Sequence, residues 1–299
     1  MNPHLSINPV SDLHEMLAYP FMVNAFEAGT IVAVMAALAG WFMVLRRQTF
    51  AGHTLSLMSF PGASGAALVG LPLAAGYFGF CVLGALAIAA GSRTAGRRNL
   101  SQESAVVGTV QAAGFALGFL FLSLYGGILE NLEQLLFGSF LGITTGQVQT
   151  LAAVAIGVLV FFVIAGRRLF FASVDELAAS ARGVPVRLLD VAFLVVLGLA
   201  VAATAQITGA LLVFALLVAP AAAAQQLTAR ITLSLLLSVV FALAIIWVGL
   251  TLAYFTDYSL GFYVPTIAFA LYLVCRTGRA VVRRLDAGTR QLRRAAATA

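Results

Sequence analysis

Long apolar stretches, each long enough to cross a lipid bilayer, dominate this sequence. A helix crosses roughly 30 Å of hydrocarbon in about 20 residues, and its backbone polar groups must be satisfied within the helix. The sequence predicts an all-α polytopic membrane protein with about nine transmembrane helices. These run over residues 20–45, 53–72, 73–91, 105–125, 147–166, 188–205, 208–226, 231–254 and 260–275, each boundary set to within about 3 residues.

The composition supports this class and excludes others. Only 9% of the 299 residues are charged and 62% are hydrophobic, whereas about 25% of a soluble domain is charged. All 17 basic residues are arginines, so the chain has no Walker A loop with its lysine. Three histidines and two cysteines are too few for a zinc-finger array or a disulfide scaffold. We therefore expect a membrane protein that does not itself hydrolyse ATP, holds no bound cofactor and binds no nucleic acid.

The arginines predict how the chain is oriented. Short cytoplasmic loops carry an excess of positive charge, and nine alternating spans place every arginine group on one side. The N-terminus is therefore predicted outside and the C-terminus in the cytoplasm. Residues 1–19 become an external segment and residues 276–299 an arginine-rich cytoplasmic tail, which either binds a partner or anionic lipid or only anchors the chain. The acidic stretch 128–143 is predicted to be an external interfacial or re-entrant helix.

Few polar side chains lie within the predicted spans. His53 is near the cytoplasmic end of the second span, and imidazole is a common ligand of divalent transition metals. Asn24 and Glu27 are three residues apart on one face of the first span, near its outer end. These residues either line a cation pathway or serve helix packing, and the residues alone leave both interpretations open.

Small residues recur every four positions in the second span, at Gly62, Ala66 and Gly70. Such a pattern lets helix backbones approach closely in lipid, so we expect these residues to form a helix-packing surface. Pro61, beside them, is expected to kink the helix.

A polar stretch on the arginine side, residues 173–183, predicts a short helix outside the membrane. Ser173 can cap its start, Asp175 and Glu176 would lie in its first turn, and Gly183 would end it. The helix is either a docking site for a cytoplasmic partner or a simple connector. Shortly after it, Asp190 is expected to pair with Arg187.

The sequence resembles the permease subunits of metal-type ATP-binding-cassette (ABC) importers, which carry zinc, manganese or ferrous iron. The resemblance extends from about Phe21 to Leu273, and the order and spacing of its short motifs are fairly specific. The motifs are Val44-Leu45-Arg46-Arg47, Phe50-Ala51-Gly52, Leu136-Phe137-Gly138, Ala181-Arg182-Gly183-Val184-Pro185-Val186-Arg187-Leu188-Leu189-Asp190, Gly209-Ala210-Leu211-Leu212-Val213, Pro220-Ala221-Ala222 and the stretch 261–273.

The resemblance implies a function and a set of partners. Residues 20–275 would form the permease domain of a homodimer in the cell (inner) membrane. Two cytoplasmic ATPase subunits would supply the energy, and an external binding protein would deliver a divalent metal as the transported substrate. Residues 173–183 would be the coupling helix, with Asp175, Glu176 and Gly183 in the region that contacts the ATPase.

One departure from the family pattern concerns the second span. The family typically reads Gly-Asp-Ala-Leu-Ser-His there, whereas this chain reads Gly52-His53-Thr54-Leu55-Ser56-Leu57. His53 replaces the acid and Leu57 replaces the histidine, so the ligand pair is not carried over intact. A different metal, a ligand from another span and a non-metal solute each fit this change.

Two other classes of function compete with an ABC permease. A stand-alone ion-coupled secondary transporter usually has several acids or amides near the midplane, and this sequence has few. An intramembrane enzyme would need a Ser/His pairing or a His-Glu-x-x-His motif, and neither is present.

Overall fold

The computed structural model describes residues 16, 18–94, 100–125, 142–256 and 258–298, and the regular elements within these ranges are α-helices. A single short helix, α6, separates long apolar ones. The helices are α1 (Pro20–Leu45), α2 (Thr49–Val69), α3 (Leu73–Thr94), α4 (Leu100–Tyr125), α5 (Thr145–Val174), α6 (Glu176–Ala181), α7 (Val186–Leu227), α8 (Ile231–Phe255) and α9 (Leu260–Thr298).

Seven segments of the described chain are long and apolar enough to cross a membrane. They lie in α1, α3, α4, α5, the first half of α7, α8 and the first half of α9. The other two predicted spans correspond to α2 and to a shorter apolar helix, Leu212–Leu227. The described part of this multi-pass membrane protein is thus all-helical, and the count of nine spans and the side of each terminus stay predictions. Most of the predicted external segment 1–19 and of the predicted external helix 128–143 lies outside the described residues.

Helix α7 folds back on itself at Gly209. Near its start Asp190 pairs with Arg46, and near its end the Gln225 side chain donates to the carbonyl of Trp41, 2.9 Å away. A straight helix would separate positions 190 and 225 by about 52 Å (35 residues at 1.5 Å each). Both positions nevertheless meet the C-terminal end of α1. Gly209 supplies the reversal, since its φ of 75° and ψ of 162° are accessible essentially to glycine only.

The folded-back α7 is the centre of the bundle. It packs against α1, α2, α3, α5, α8 and α9, whereas α4 packs only on α2 and α3 among its main contacts. Polar bonds also join α1 to α8: the Trp41 indole donates to Ser234 Oγ at 2.9 Å, and Ser238 Oγ donates to the carbonyl of Ala37 at 3.3 Å. These bonds fix α1 between α7 and α8 over its cytoplasmic half in the predicted orientation.

The small residues of α2 have two different roles. Gly62 lies directly against the backbone of Gly76 in α3, so that a methyl group on either glycine would overlap the other's carbonyl oxygen. Ala66 also contacts this crossing, since its Cβ lies in the space that a Cβ at Gly76 would need. Gly70 does not pack there. It ends α2 in a left-handed conformation at φ 75°, with open space where its side chain would be.

Helices α2 and α9 continue past positions where the sequence predicted a kink or an end. Helix α2 continues through Pro61 as one helix from Thr49 to Val69. Helix α9 continues without interruption past position 275, where the ninth predicted span ends, to Thr298. The backbone of the arginine-rich tail is therefore a helical extension of the last span through position 298.

Replacing Gly62 with alanine tests the α2–α3 crossing. The added methyl group would meet the backbone of Gly76 rather than a flexible side chain, and overpacking of this kind costs about 1–3 kcal/mol. We expect Gly62→Ala to lower the detergent melting temperature of the purified protein.

The matched control is Gly79→Ala, at a helical glycine of α3 with no atom within 4 Å of the position that an alanine Cβ would occupy. This variant should melt at or slightly above the wild-type temperature, because alanine favours helix. Equal melting of the two variants would contradict close contact at Gly62.

Candidate functional site

His53 lies in the second turn of α2, with its ring against α7. The imidazole packs edge-on to the Phe214 ring, with 4.8 Å between ring centroids. Its Nδ1 atom is buried and has no hydrogen-bond partner among the described residues. Leaving a buried ring nitrogen without a hydrogen-bond partner costs free energy. A proton, a water molecule or a metal ion bound at His53 Nδ1, where α2 meets α7, would supply the missing partner.

The side chain of the neighbouring residue, Thr54, contacts a different helix, α4. Its hydroxyl is fully buried and donates to Gln111 Oε1 of α4 at 3.0 Å. Leu57, one turn after His53, is buried in the helix contacts. Position 57 therefore contributes packing, and His53 has no second ligand on its own helix.

Asn24 and Glu27 lie far from His53. Asn24 donates from Nδ2 to the carbonyl of Ile143, 3.0 Å away, just before α5 begins. Glu27, one turn along α1, is exposed. At 1.5 Å per residue Asn24 is about 33 Å along α1 from Arg46, whereas His53 follows Arg46 by only seven residues. The structure thus places the three predicted pathway residues near opposite ends of the bundle.

Metal-binding side chains are sparse throughout the described part of the chain. No group of three or more histidine, cysteine, aspartate or glutamate residues comes together within it. A transition-metal site in a protein is usually built from several carboxylate, imidazole or thiolate groups that bind one ion together. The described residues therefore place no cluster of further metal ligands around His53.

The short helix α6 starts one residue after Asp175, not at Ser173. Asp175 is its N-cap, and the carboxylate accepts the backbone N–H of Ala178 at 2.9 Å. Ser173 belongs to the last turn of α5, which continues to Val174, and its hydroxyl donates to the carbonyl of Leu169 at 2.6 Å. The predicted cap was therefore wrong, because α5 extends further than its apolar stretch indicated.

Helix α6 ends in a Schellman motif at Gly183. This glycine has φ 77°, its N–H bonds to the carbonyl of Ser180 at 3.0 Å, and Val184 bonds to the carbonyl of Ala179 at 3.1 Å. Ala179 itself is buried in a small apolar cluster with Ala172 and Val186. The helix is thus capped at both ends and held to the ends of α5 and α7.

The outer face of α6 is open. Leu177 is 59% exposed, Asp175 is exposed, and Glu176 is half-buried. An exposed leucine beside acids on a short, doubly capped helix is a compact surface that a partner protein can bind.

Asp190 pairs with Arg46, and the predicted pairing with Arg187 was wrong. The Arg46 guanidinium reaches Asp190 from the end of α1, whereas Arg187 is exposed. Sequence proximity favoured Arg187, but the packing of α1 on α7 brings Arg46 closer.

A sequence model described as the ABC 3 transport family matches residues 18–278. The chain belongs to this family. The chain is also similar to the manganese transport system membrane protein MntC of Halalkalibacterium halodurans, with 26% identity over 86% of this chain and 87% of the relative. The chelated iron transport system membrane protein YfeC of Yersinia pestis is 28% identical over 85% of each chain.

A solved structure has the same fold. PsaBC from Streptococcus pneumoniae in complex with Fab contains a chain that superposes with a TM-score of 0.77 at 24% sequence identity, covering 89% of this chain and 94% of that one. Together with the seven apolar spans, family membership identifies the protein as a multi-pass cell-membrane permease of the metal-type ABC family.

Sequence reasoning missed two residues that the structure places at the α6 region. Arg46 was noted only as part of a motif, and its contacts with α5 and α7 could not be inferred because those partners are more than 120 positions away. Leu177 had a visible signal, as a large apolar residue in an otherwise polar segment.

Substitutions at Asp175 test the cap of α6. Asp175→Ala removes the acceptor for the Ala178 N–H, and loss of an N-cap costs about 1 kcal/mol. We expect amide exchange within α6 to become about fivefold faster, as measured by hydrogen–deuterium exchange. Asp175→Asn keeps the acceptor and should exchange nearly as slowly as wild type. Equal exchange in all three proteins would show that the cap does not stabilise α6.

Proposed function

We propose that this chain is the transmembrane permease subunit of an ABC importer that moves a divalent metal ion into the cytoplasm. The ion would be Zn²⁺, Mn²⁺ or Fe²⁺, and a separate subunit would hydrolyse the ATP. The observation that carries this proposal is α6, a short exposed helix capped at both ends and joined to two long helices of the bundle. Such a helix can receive a movement made outside the membrane and pass it to the spans.

The partners follow from this division of labour. The chain has no lysine and hence no Walker A loop of its own, so ATP would be hydrolysed by another chain. Cytoplasmic ABC ATPase subunits would contact Asp175, Glu176 and the turn at Gly183. A homodimer of permeases and an external metal-binding protein would complete the transporter.

The substrate class is supported by the relatives and by His53. The relatives named above carry manganese and chelated iron according to their names. His53 presents an unpaired imidazole nitrogen between α2 and α7, and imidazole suits first-row transition metals. Glu27 and Asn24 would lie at the outer entrance, and the metal is the transported substrate rather than a bound cofactor.

A second candidate function is an ABC permease for a non-metal small solute. The sparse metal-binding side chains of the described residues favour it, as does the contact of His53 with Phe214. Family membership argues against the stand-alone secondary transporter, because ABC permeases work with an ATPase.

Charge reversal at the start of α6 tests the docking role. Asp175→Lys/Glu176→Lys would reverse the charge that α6 presents to a partner while leaving the membrane bundle intact. We expect about tenfold slower metal uptake by cells, with normal amounts of the protein in the membrane.

The control is Asp175→Ala, which loses the cap without reversing the charge. It should lower uptake much less than the double variant. Wild-type uptake by the double variant would contradict the assignment of α6 as the coupling helix.

His53 is tested by cellular metal content. A deletion strain grown with chelated metals would be restored with wild type, His53→Ala or His53→Phe, and its metals measured by elemental mass spectrometry. His53→Phe keeps a ring against Phe214 but removes the nitrogens. We expect one divalent metal to fall on deletion, to recover with wild type, and to accumulate about tenfold more slowly with either variant.

Full recovery with His53→Phe would show that the ring serves packing alone. No change in any divalent metal on deletion would instead favour the non-metal solute.

A further inference from the structure

Arg46 is a largely enclosed arginine at the end of α1, where the chain turns into α2. It is the C-cap residue of α1, and its side chain is only 9% exposed. A buried guanidinium is stable only when its charge is paired and its N–H groups are hydrogen-bonded. The contacts of Arg46 therefore show which elements must stay together at this end of the bundle.

Those contacts come from three elements. Arg46 Nη1 donates to Ser173 Oγ in α5 at 3.0 Å, and Nη2 donates to the carboxylate of Asp190 in α7. Nε donates to Gln48 Oε1 on its own turn at 3.3 Å. The guanidinium carbon also lies 5.2 Å from the centre of the Phe193 ring of α7, within the range of a cation–π contact.

Ser173 and Asp190 lie on either side of α6. Ser173 is in the last turn of α5, two residues before the cap at Asp175, and Asp190 is in the second turn of α7. Helix α6 is also held by the small apolar cluster around Ala179 and by Arg182, whose guanidinium carbon lies 5.4 Å from the centre of the Phe171 ring of α5. Arg46 therefore connects the residues on both sides of α6, Ser173 and Asp190, to the turn between α1 and α2.

The turn between α1 and α2 is tight. Gln48 N–H bonds to the carbonyl of Met43 at 3.0 Å, and Arg47 adopts a left-handed φ of 59°. Helix α2 starts at Thr49, so that His53 follows the turn by little more than one helical turn. A displacement of the α6 segment would reach α2 through Arg46 over a short, rigid path.

We propose that Arg46 is a positioning residue that transmits movement of α6 to α2, the helix that carries His53. This role rests on the proposed function, since it needs an ATPase that moves α6. Only arginine can fill it, because its planar fork contacts Ser173, Asp190 and Gln48 at once, whereas a lysine ammonium is a single point charge.

The test measures metal uptake per ATP hydrolysed. The complex would be purified through a tag on this chain, placed in liposomes together with the external metal-binding protein, and supplied with ATP and radioactive Mn²⁺, Fe²⁺ or Zn²⁺. At unchanged ATPase assembly, we expect Arg46→Gln to lower uptake per ATP about tenfold, and Arg46→Lys to restore less than half of the loss. A merely structural role would change the amount of complex but not this ratio.

The matched control is Arg47→Gln, which removes the same charge from the same turn but none of the contacts to α5 and α7. Its uptake per ATP should equal that of wild type. An unchanged ratio in Arg46→Gln, or an equal fall in Arg47→Gln, would overturn the role of Arg46.

If the Arg46→Gln variant does not assemble with the ATPase, two milder variants test the proposal. Asp190→Asn keeps an oxygen that can accept from Arg46 at a side chain that is 40% exposed, and Ser173→Ala removes one hydroxyl. A fall in uptake per ATP in either supports the proposal, and wild-type ratios in both overturn it. Absence of both metal uptake and a co-purifying ATPase with the wild-type protein would overturn the proposed function as well.

Discussion

Close contact between helix backbones is the constraint on which this structure depends. Lipid is as apolar as the helices, so the hydrophobic effect does not hold the helices together within the membrane. Glycines provide the contact instead: Gly40 lies against the backbone of Leu217, Gly62 against Gly76, and Gly198 near the carbonyl of Cys81. These crossings join α1 and α3 to the two halves of α7 and join α2 to α3. The central position of α7 follows from them.

Polar interactions are few, and several lie at one end of the bundle. Trp41 and Gln225 bind α1 to α8 and α7, and Arg46 binds the α1–α2 turn to α5 and α7. Each such bond is worth more where water is scarce, because the alternative is an unpaired polar group. Several helices are therefore joined by directional bonds at the end that carries α6. The rest of the bundle depends mainly on close packing, with separate bonds such as those from Thr54 to Gln111 and from Trp247 to Thr30.

The candidate site was only partly predictable. The residue types of His53, Asn24 and Glu27 made them candidates, since polar groups in apolar spans are rare. Their surroundings were not predictable, because the contact of His53 with Phe214 and the bond from Asn24 to Ile143 join residues more than 100 positions apart. At α6 the polar stretch and Gly183 indicated a helix in the right place. The cap was assigned to Ser173 rather than Asp175 because the end of α5 depends on packing.

The sequence by itself determined the class, the position of most described helices and the break in α7. Twenty apolar residues in lipid must form a helix that satisfies its own backbone, and Gly209 marks the reversal because only glycine adopts its conformation. The tertiary structure alone decided which helices touch, that Gly70 ends a helix instead of packing, and that Asp190 pairs with Arg46 rather than Arg187. Short-range backbone chemistry determines where each helix forms and ends, and a local sequence pattern records it. The neighbours of each helix depend on shape complementarity between helices that are distant in the chain, and no local pattern encodes that complementarity.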